Sequence, residues 1–434
     1  MDYVAIVSAL DAILFGFRCH FSKRSWPYFP ALIKGFLLCM GRKTVSRVIG
    51  PSQLKRSTSG FYRFFSAFKG AYEEAARGLL HQAILIFGCE RVVLFVDDTL
   101  SPKTGPKIFG CSKHCDHHAW PKRWLWGHNW VVVALGIRVP IWKRWISLPL
   151  LVKLYIRKKD CTKDQTPFHT KLKIALDMVD FLAEGLDSPL IVVGDGAYTN
   201  GAMIRPLRKR NRIFIGRLRA DVTLYDFPVT PSKGKRGRRP TYGPELPKLS
   251  KARRLQFRTV ELEIYSERVR VEMASLTAIW KSAGGAIKVV AVRQKPDADL
   301  VYLMSSDPTI SDEDLVQMFS GRWSIEMAFR NAKSILGLDE AQVRKEKAVF
   351  RLALLGLWAQ TLVILTYFKV HGFSMSSTIP VPSWYNSKQE PSFADMLGEV
   401  RVALMRERIA AVFGTRSRVV EIVMRHIAPA LRAA

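Results

Sequence analysis

At 434 residues the chain is long enough for two or three domains with a full hydrophobic core. Its composition, 48% hydrophobic and 24% charged, excludes a disordered chain, and a formal charge of +30 points to a polyanionic partner, nucleic acid first. Cys19, Cys39, Cys89, Cys111, Cys115 and Cys161 follow no framework spacing and no signal peptide opens the sequence, so a reducing, cytoplasmic setting is expected. The uncharged apolar run Leu352 to Phe368 is 17 residues and reads as a buried helix, too short to span a membrane.

In chain order, residues 1–88 read as helical. Tyr28 to Ile49 alternates apolar clusters with Arg42, Lys43 and Arg47, and Phe61, Tyr62, Phe64, Phe65 and Phe68 form a dense aromatic group. The segment carries 12 Lys and Arg, which suits either a helical core with basic decoration or a DNA-contacting domain. Arg91 to Val96 is a short, nearly continuous apolar run, the mark of a strand buried on both faces, and it closes on Asp97, Asp98 and Thr99. Unpaired charges there are costly, so the carboxylates need a purpose. Strand alternation sends Asp97 and Asp98 to opposite faces, so only one can join a given site.

Residues 101–128 read as a loop in which Cys111, His114, Cys115, His117 and His118 invite a zinc site. Their spacing matches no closed set, and a basic loop over the site is the simpler expectation. Strands are expected at 129–137 and 145–156, a helix at 172–182 ended by Gly185, and a buried strand at 189–194 closing on Asp195. A helix at 201–210 and a strand at 212–218 follow. This order of strand, strand, strand, helix, strand, helix, strand is that of a ribonuclease-H-like α/β fold. Sites in such open sheets gather at strand ends.

From 201 to 258 there are 17 Lys and Arg against three acids, including the run with Lys235, Arg236, Arg238 and Arg239. Alternating stretches at 257–265, 268–276, 287–293 and 300–305 predict a small antiparallel sheet plus strands returning to the core. Trp280 lies alone in this segment, as its core or as a platform for stacking a base. Ser311 with Asp314 then marks a helix start. Beyond it Met318, Ile325, Phe329 and Leu336 make an apolar stripe. Arg322, Glu326, Arg330 and Lys333 lie on the neighbouring stripe, about 80° wide. Ser320-Gly321 is the point where this helix can break. Residues 348–370 read as an apolar core helix, 371–390 as a linker and 391–428 as a basic helical tail.

The pattern Phe319-x2-Arg322-x3-Glu326-x6-Lys333 resembles the Y-R-E-K signature of DDE transposases from bacterial insertion sequences, with Phe for Tyr. The resemblance implies that Asp97, Asp195 and Glu326 are the catalytic, metal-binding carboxylates, with Asp97 chosen by the family's D-x-T and Asp98 as the alternate. It implies Mg2+, with Mn2+ able to substitute, and DNA contacts from Arg322 and Lys333, beside which Arg330 lies. Double-stranded DNA, both transposon ends and target, is the implied partner, bound by a homodimer in the bacterial nucleoid. Domains are expected at 1–88 (helical, end-binding), 89–220 (core), 221–298 (β-rich insertion), 299–370 (core with the glutamate helix) and 371–434 (linker and tail). Phe319 removes one possible phosphate contact. The rival expectations are a domesticated DNA-binding protein without catalysis and a ribonuclease-H-like nuclease acting on structured nucleic acid.

Overall fold

The computed structural model describes residues 2–116, 121–161, 166–229, 240–251, 255–265, 267–295, 297–373, 390–415 and 417–432. His117, His118, Lys235, Arg236, Arg238, Arg239 and most of the 371–390 linker lie outside them. The centre is one mixed sheet. Its strands are β1 (Val92–Pro102), β2 (Ser112–Asp116), β3 (Arg123–Val139), β4 (Arg144–Tyr155), β5 (Leu190–Gly194), β6 (Ile213–Leu218), β7 (Arg258–Ile264), β8 (Glu267–Trp280), β9 (Gly285–Arg293) and β10 (Val301–Ser305). The half built first runs β4-β3-β1-β5-β6, with β3 antiparallel to both neighbours and β1, β5 and β6 parallel. That is the ribonuclease-H-like order. β1 as far as Val96 and all of β5 are buried, because helices cover both faces.

The helices are α1 (Tyr3–Phe15), α2 (Tyr28–Leu38), α3 (Val45–Ser52), α4 (Thr58–Ser66), α5 (Tyr72–Phe87), α6 (Lys158–Cys161), α7 (Lys171–Leu182), α8 (Gly201–Lys209), α9 (Asp312–Gly321), α10 (Trp323–Ser334), α11 (Glu346–His371), α12 (Phe393–Phe413) and α13 (Arg418–Arg432). α5, α7 and α8 pack together on one side, and α9 and α10 lie on the other. The apolar α11 is buried along almost its whole length. It covers edge strand β4, where Trp358 Nε1 donates to Leu150 O and Thr361 Oγ1 to Pro149 O, both at 2.7 Å. The N-terminal helices share this core. Phe17 and Phe29 pack on Trp358 with ring centroids 5.3 and 6.2 Å away, and Arg351 Nη1 donates to Phe64 O at 2.7 Å.

Two expectations change. β1 does not stop at the aspartates. β3 is long enough to pair with it down to Pro102↔Gly127, so Asp97 and Asp98 lie inside a strand, just past the last parallel pair, Val96↔Gly194. The 101–128 segment is not all loop, since β2 pairs with the start of β3. The antiparallel sheet and returning strands expected over 257–305 are present: β10 joins β6 on one side and β9 on the other, so β7 to β10 continue the central sheet.

Candidate active site

Parallel pairing of β1 with β5 ends at Val96↔Gly194, so the next residues are Asp97, still in β1, and Asp195, the first residue beyond β5. Asp195 is held by the turn that follows it. Its Oδ1 accepts from Ala197 N at 2.9 Å and Tyr198 N at 3.2 Å. Gly194 and Gly216, paired across β5 and β6, make that turn possible, because a Cβ at either would strike Tyr198 or Thr199 folding back over the strands.

Opposite faces of β1 carry different partners. Asp97 meets Arg322, whose Nη1 pairs with Asp97 Oδ2 while Nη2 pairs with Glu326 Oε1 at 3.1 Å. Asp98 points the other way. Lys171 Nζ, at the start of α7, reaches Asp98 Oδ2 at 2.6 Å, and the buried Tyr198 hydroxyl donates to Asp98 Oδ1 at 3.3 Å. Burial raises the Tyr198 pKa well above its ordinary value, and the charges of Asp98, Asp97 and Asp195 add to the effect, so it remains a proton donor. The two faces are also tied together, since Asp98 N donates to Asp97 Oδ1 at 2.8 Å.

The helix expected from Ser311 does start there, with Ser311 Oγ accepting from Asp314 N at 3.0 Å. It is interrupted at Arg322, which separates α9 from α10, and the residue before the joint is Gly321, where the Trp145 ring of β4 leaves no room for a side chain. Asp312 fixes α9 to the extended sheet through Arg258 at 3.0 Å and Lys288 at 2.8 Å. Met318, Ile325, Phe329 and Leu336 are buried, as their spacing predicts. That orients Glu326 toward β1.

Asp97 is the most perturbed carboxyl of the group. Burial pushes its pKa up to about 7, with Arg322 opposing and the negative charges of Asp195 and Asp98 adding to the rise. Of the three cations beside Glu326, Arg322 is thus engaged with carboxylates. Lys333 is half-buried, with Asp339 and Asp116 acting on it against its burial, and Arg330 alone is exposed. Trp280, at the end of β8, is partly buried against the core. The turn after it docks on α8, where Arg205 donates to Lys281 O at 2.7 Å and Ser282 O at 2.8 Å.

With Asp97 and Asp195 side by side where parallel strand pairing ends, and Arg322 linking Asp97 to a helical glutamate, one comparison decides the family: residues 16–274 match the DDE superfamily endonuclease family. The chain belongs to that family. No curated protein matches it. As a DDE superfamily endonuclease it acts on nucleic acid by nuclease-type chemistry. The match contains Asp97 and Asp195 and ends before Glu326, whose place here rests on α10.

Among the described residues no three His, Cys, Asp or Glu stand together so as to hold one metal ion, with the Arg322 guanidinium lying between Asp97 and Glu326. The donor type nevertheless suits a hard divalent cation, since Asp97, Asp195 and Glu326 offer only carboxylate oxygens, two of them joined through Arg322. The zinc expectation finds no support in the described part of its loop. His114 Nε2 is hydrogen-bonded to Ser112 Oγ at 2.9 Å and His128 Nε2 to Phe109 O at 2.9 Å.

Sequence reasoning missed Lys171 and Tyr198, whose partner Asp98 is distant in the chain. It also missed Tyr265, an exposed aromatic with φ of 54° in the β7–β8 turn, where Gly or Asn is usual. Arg322 and Glu326 both act on its hydroxyl. Tyr265, Trp323 and Met327 border a cleft of about 420 Å³ between α10, β4 and the start of α12. A bulky residue at a hairpin position that favours glycine was the available signal.

Proposed function

We propose that this endonuclease is a DNA transposase, cutting the ends of an insertion-sequence element and joining them to target DNA. The observation that carries the proposal is the side-by-side placement of Asp97 and Asp195, with Arg322 linking Asp97 to Glu326. In this reading Asp97, Asp195 and Glu326 hold Mg2+, or Mn2+ in its place. Bound there, the metal would stabilise the charge on the attacking and leaving oxygens of an in-line displacement at phosphorus. β1 carries Asp97, and the turn that closes β5 holds Asp195. α10 brings the glutamate, and the buried walls around Asp97 strengthen every charge interaction at the site. Water is the first nucleophile, and the freed 3′ hydroxyl is the second. Exposed Arg330 faces the DNA backbone, as do Arg322 and Lys333 once released from their acidic neighbours. The helical N-terminal region and the basic 230–239 segment, with Lys235, Arg236, Arg238 and Arg239, add sequence-independent attraction. Two copies act on paired ends.

The test is a supercoiled plasmid carrying the sequences that flank the gene, incubated with the protein and Mg2+, Mn2+ or EDTA. Metal-dependent nicks at the element boundaries, followed by joined products, are expected. Cuts without regard to the boundaries would favour a general nuclease, and boundary binding without cuts would favour a non-catalytic DNA-binding protein.

A further inference from the structure

Arg322 sits where a catalytic cation would be wanted. One nitrogen pairs with Asp97 and the other with Glu326 at 3.1 Å, and both partners belong to the proposed metal-binding set. The guanidinium is not fully satisfied, since its buried Nε makes no hydrogen bond. It is attached at the joint between α9 and α10, where the helical ladder is interrupted beside Gly321, so the backbone beneath it belongs to neither helix. Along the same stripe Arg330 is exposed, and Trp323 next to Arg322 is 48% exposed, so a nucleic-acid backbone can approach this side of α10.

A guanidinium and a divalent ion cannot both take the same carboxylate oxygens. Removing the guanidinium leaves buried Asp97 unpaired, which is costly unless another cation replaces it. Removing it without a new anion for the guanidinium leaves a buried cation unpaired instead. The exchange is favourable only when both partners arrive, and a phosphate offers two oxygens that accept from arginine's planar fork together.

We propose that Arg322 is a latch that holds Asp97 and Glu326 until a DNA phosphate takes its guanidinium, so that DNA binding and divalent-metal loading promote each other. This rests on the carboxylate assignment made under the proposed function. It adds that the endonuclease is kept from loading metal while it is off DNA. The coupling is reciprocal by thermodynamic necessity: whatever factor DNA adds to metal affinity, metal adds to DNA affinity.

The test is Mn2+ binding, followed by calorimetry in mildly alkaline buffer, with the full chain alone and with the chain saturated by a short mixed-sequence duplex. Heats from the duplex and Mn2+ without protein are subtracted. Wild type, Arg322→Gln, Arg322→Lys and Asp97→Asn are compared, each first shown to melt cooperatively. The duplex is expected to tighten Mn2+ binding to wild type by about tenfold. Arg322→Gln should already bind tightly alone and gain little from the duplex, and Arg322→Lys should fall between, because a point charge holds two carboxylates less well than a fork. If wild type and Arg322→Gln bind Mn2+ equally, with no effect of the duplex, while Asp97→Asn loses binding, the latch is overturned and the metal site stands. If Asp97→Asn binds Mn2+ as wild type does, the carboxylate assignment itself fails, and the latch with it.

Discussion

Asp97 and Asp98 are consecutive residues on one strand, yet they serve different sides of the protein. Asp97 faces α10, is buried beside Asp195, and is joined through Arg322 to Glu326. Asp98 faces α7 and is held by Lys171 and Tyr198. Identical side chains one residue apart thus acquire different chemistry from the period of the strand alone. The Asp98 face acts as a support: Tyr198 grips Asp98 with its hydroxyl and Asp195 with its backbone N–H, so Asp98 steadies the turn that carries the second aspartate.

The comparison can be broken in order of effect. On the Asp97 face, Glu326→Gln should reduce DNA cleavage by on the order of a thousandfold while DNA binding persists. A loss of only a few fold would remove Glu326 from the reaction. On the Asp98 face, Lys171→Met should lower the cleavage rate by about tenfold, as expected when a supporting contact is lost, and Lys171→Arg should restore most of it. A thousandfold loss in Lys171→Met would show that both faces take part in the chemistry. Away from both faces, Trp280→Ala should leave the first nick intact and slow the next step by about fivefold, the worth of one weak base stack. Equal slowing of both steps, or loss of the cooperative melt, would make Trp280 a core residue.

The faces should also differ in how they respond to pH. Asp97 is raised from its usual 3.8 to about 7, chiefly by burial, so the native state binds the extra proton between those values. The protonated carboxyl contributes stability that is fully present below 3.8 and is lost as pH climbs through about 7. Asp97→Asn has no charge to bury there. Its melting temperature relative to wild type should therefore rise across that window in metal-free buffer, and a difference flat with pH would contradict the perturbed carboxyl.

Much of this was legible in the sequence where burial is extreme. Val92 to Val96 and Leu190 to Gly194 are covered on both faces, so they read as unbroken apolar runs, and the aspartates after them stand out. The break at Ser320-Gly321 was legible for a similar reason, as glycine in a helix needs an explanation, which Trp145 supplies. β2 was not legible, because Ser112 to Asp116 is a polar stretch whose strand character comes only from pairing with β3. Nor was the extent of the sheet, since four alternating strands read the same whether they stand apart or join β6. The choice between Asp97 and Asp98 depends on which face α10 occupies, and the Arg322 bridge joins residues 225 positions apart. Neither has a local signature.

The most direct measurement is metal-dependent cleavage of end-bearing plasmid by Asp97→Asn and Asp98→Asn side by side, with DNA binding followed on the same preparations. The account predicts that both variants bind DNA, that Asp97→Asn loses cleavage by on the order of a thousandfold, and that Asp98→Asn keeps about a tenth of the wild-type rate. Normal cleavage by Asp97→Asn with cleavage abolished in Asp98→Asn would contradict it, and would place the reaction on the α7 face of the sheet.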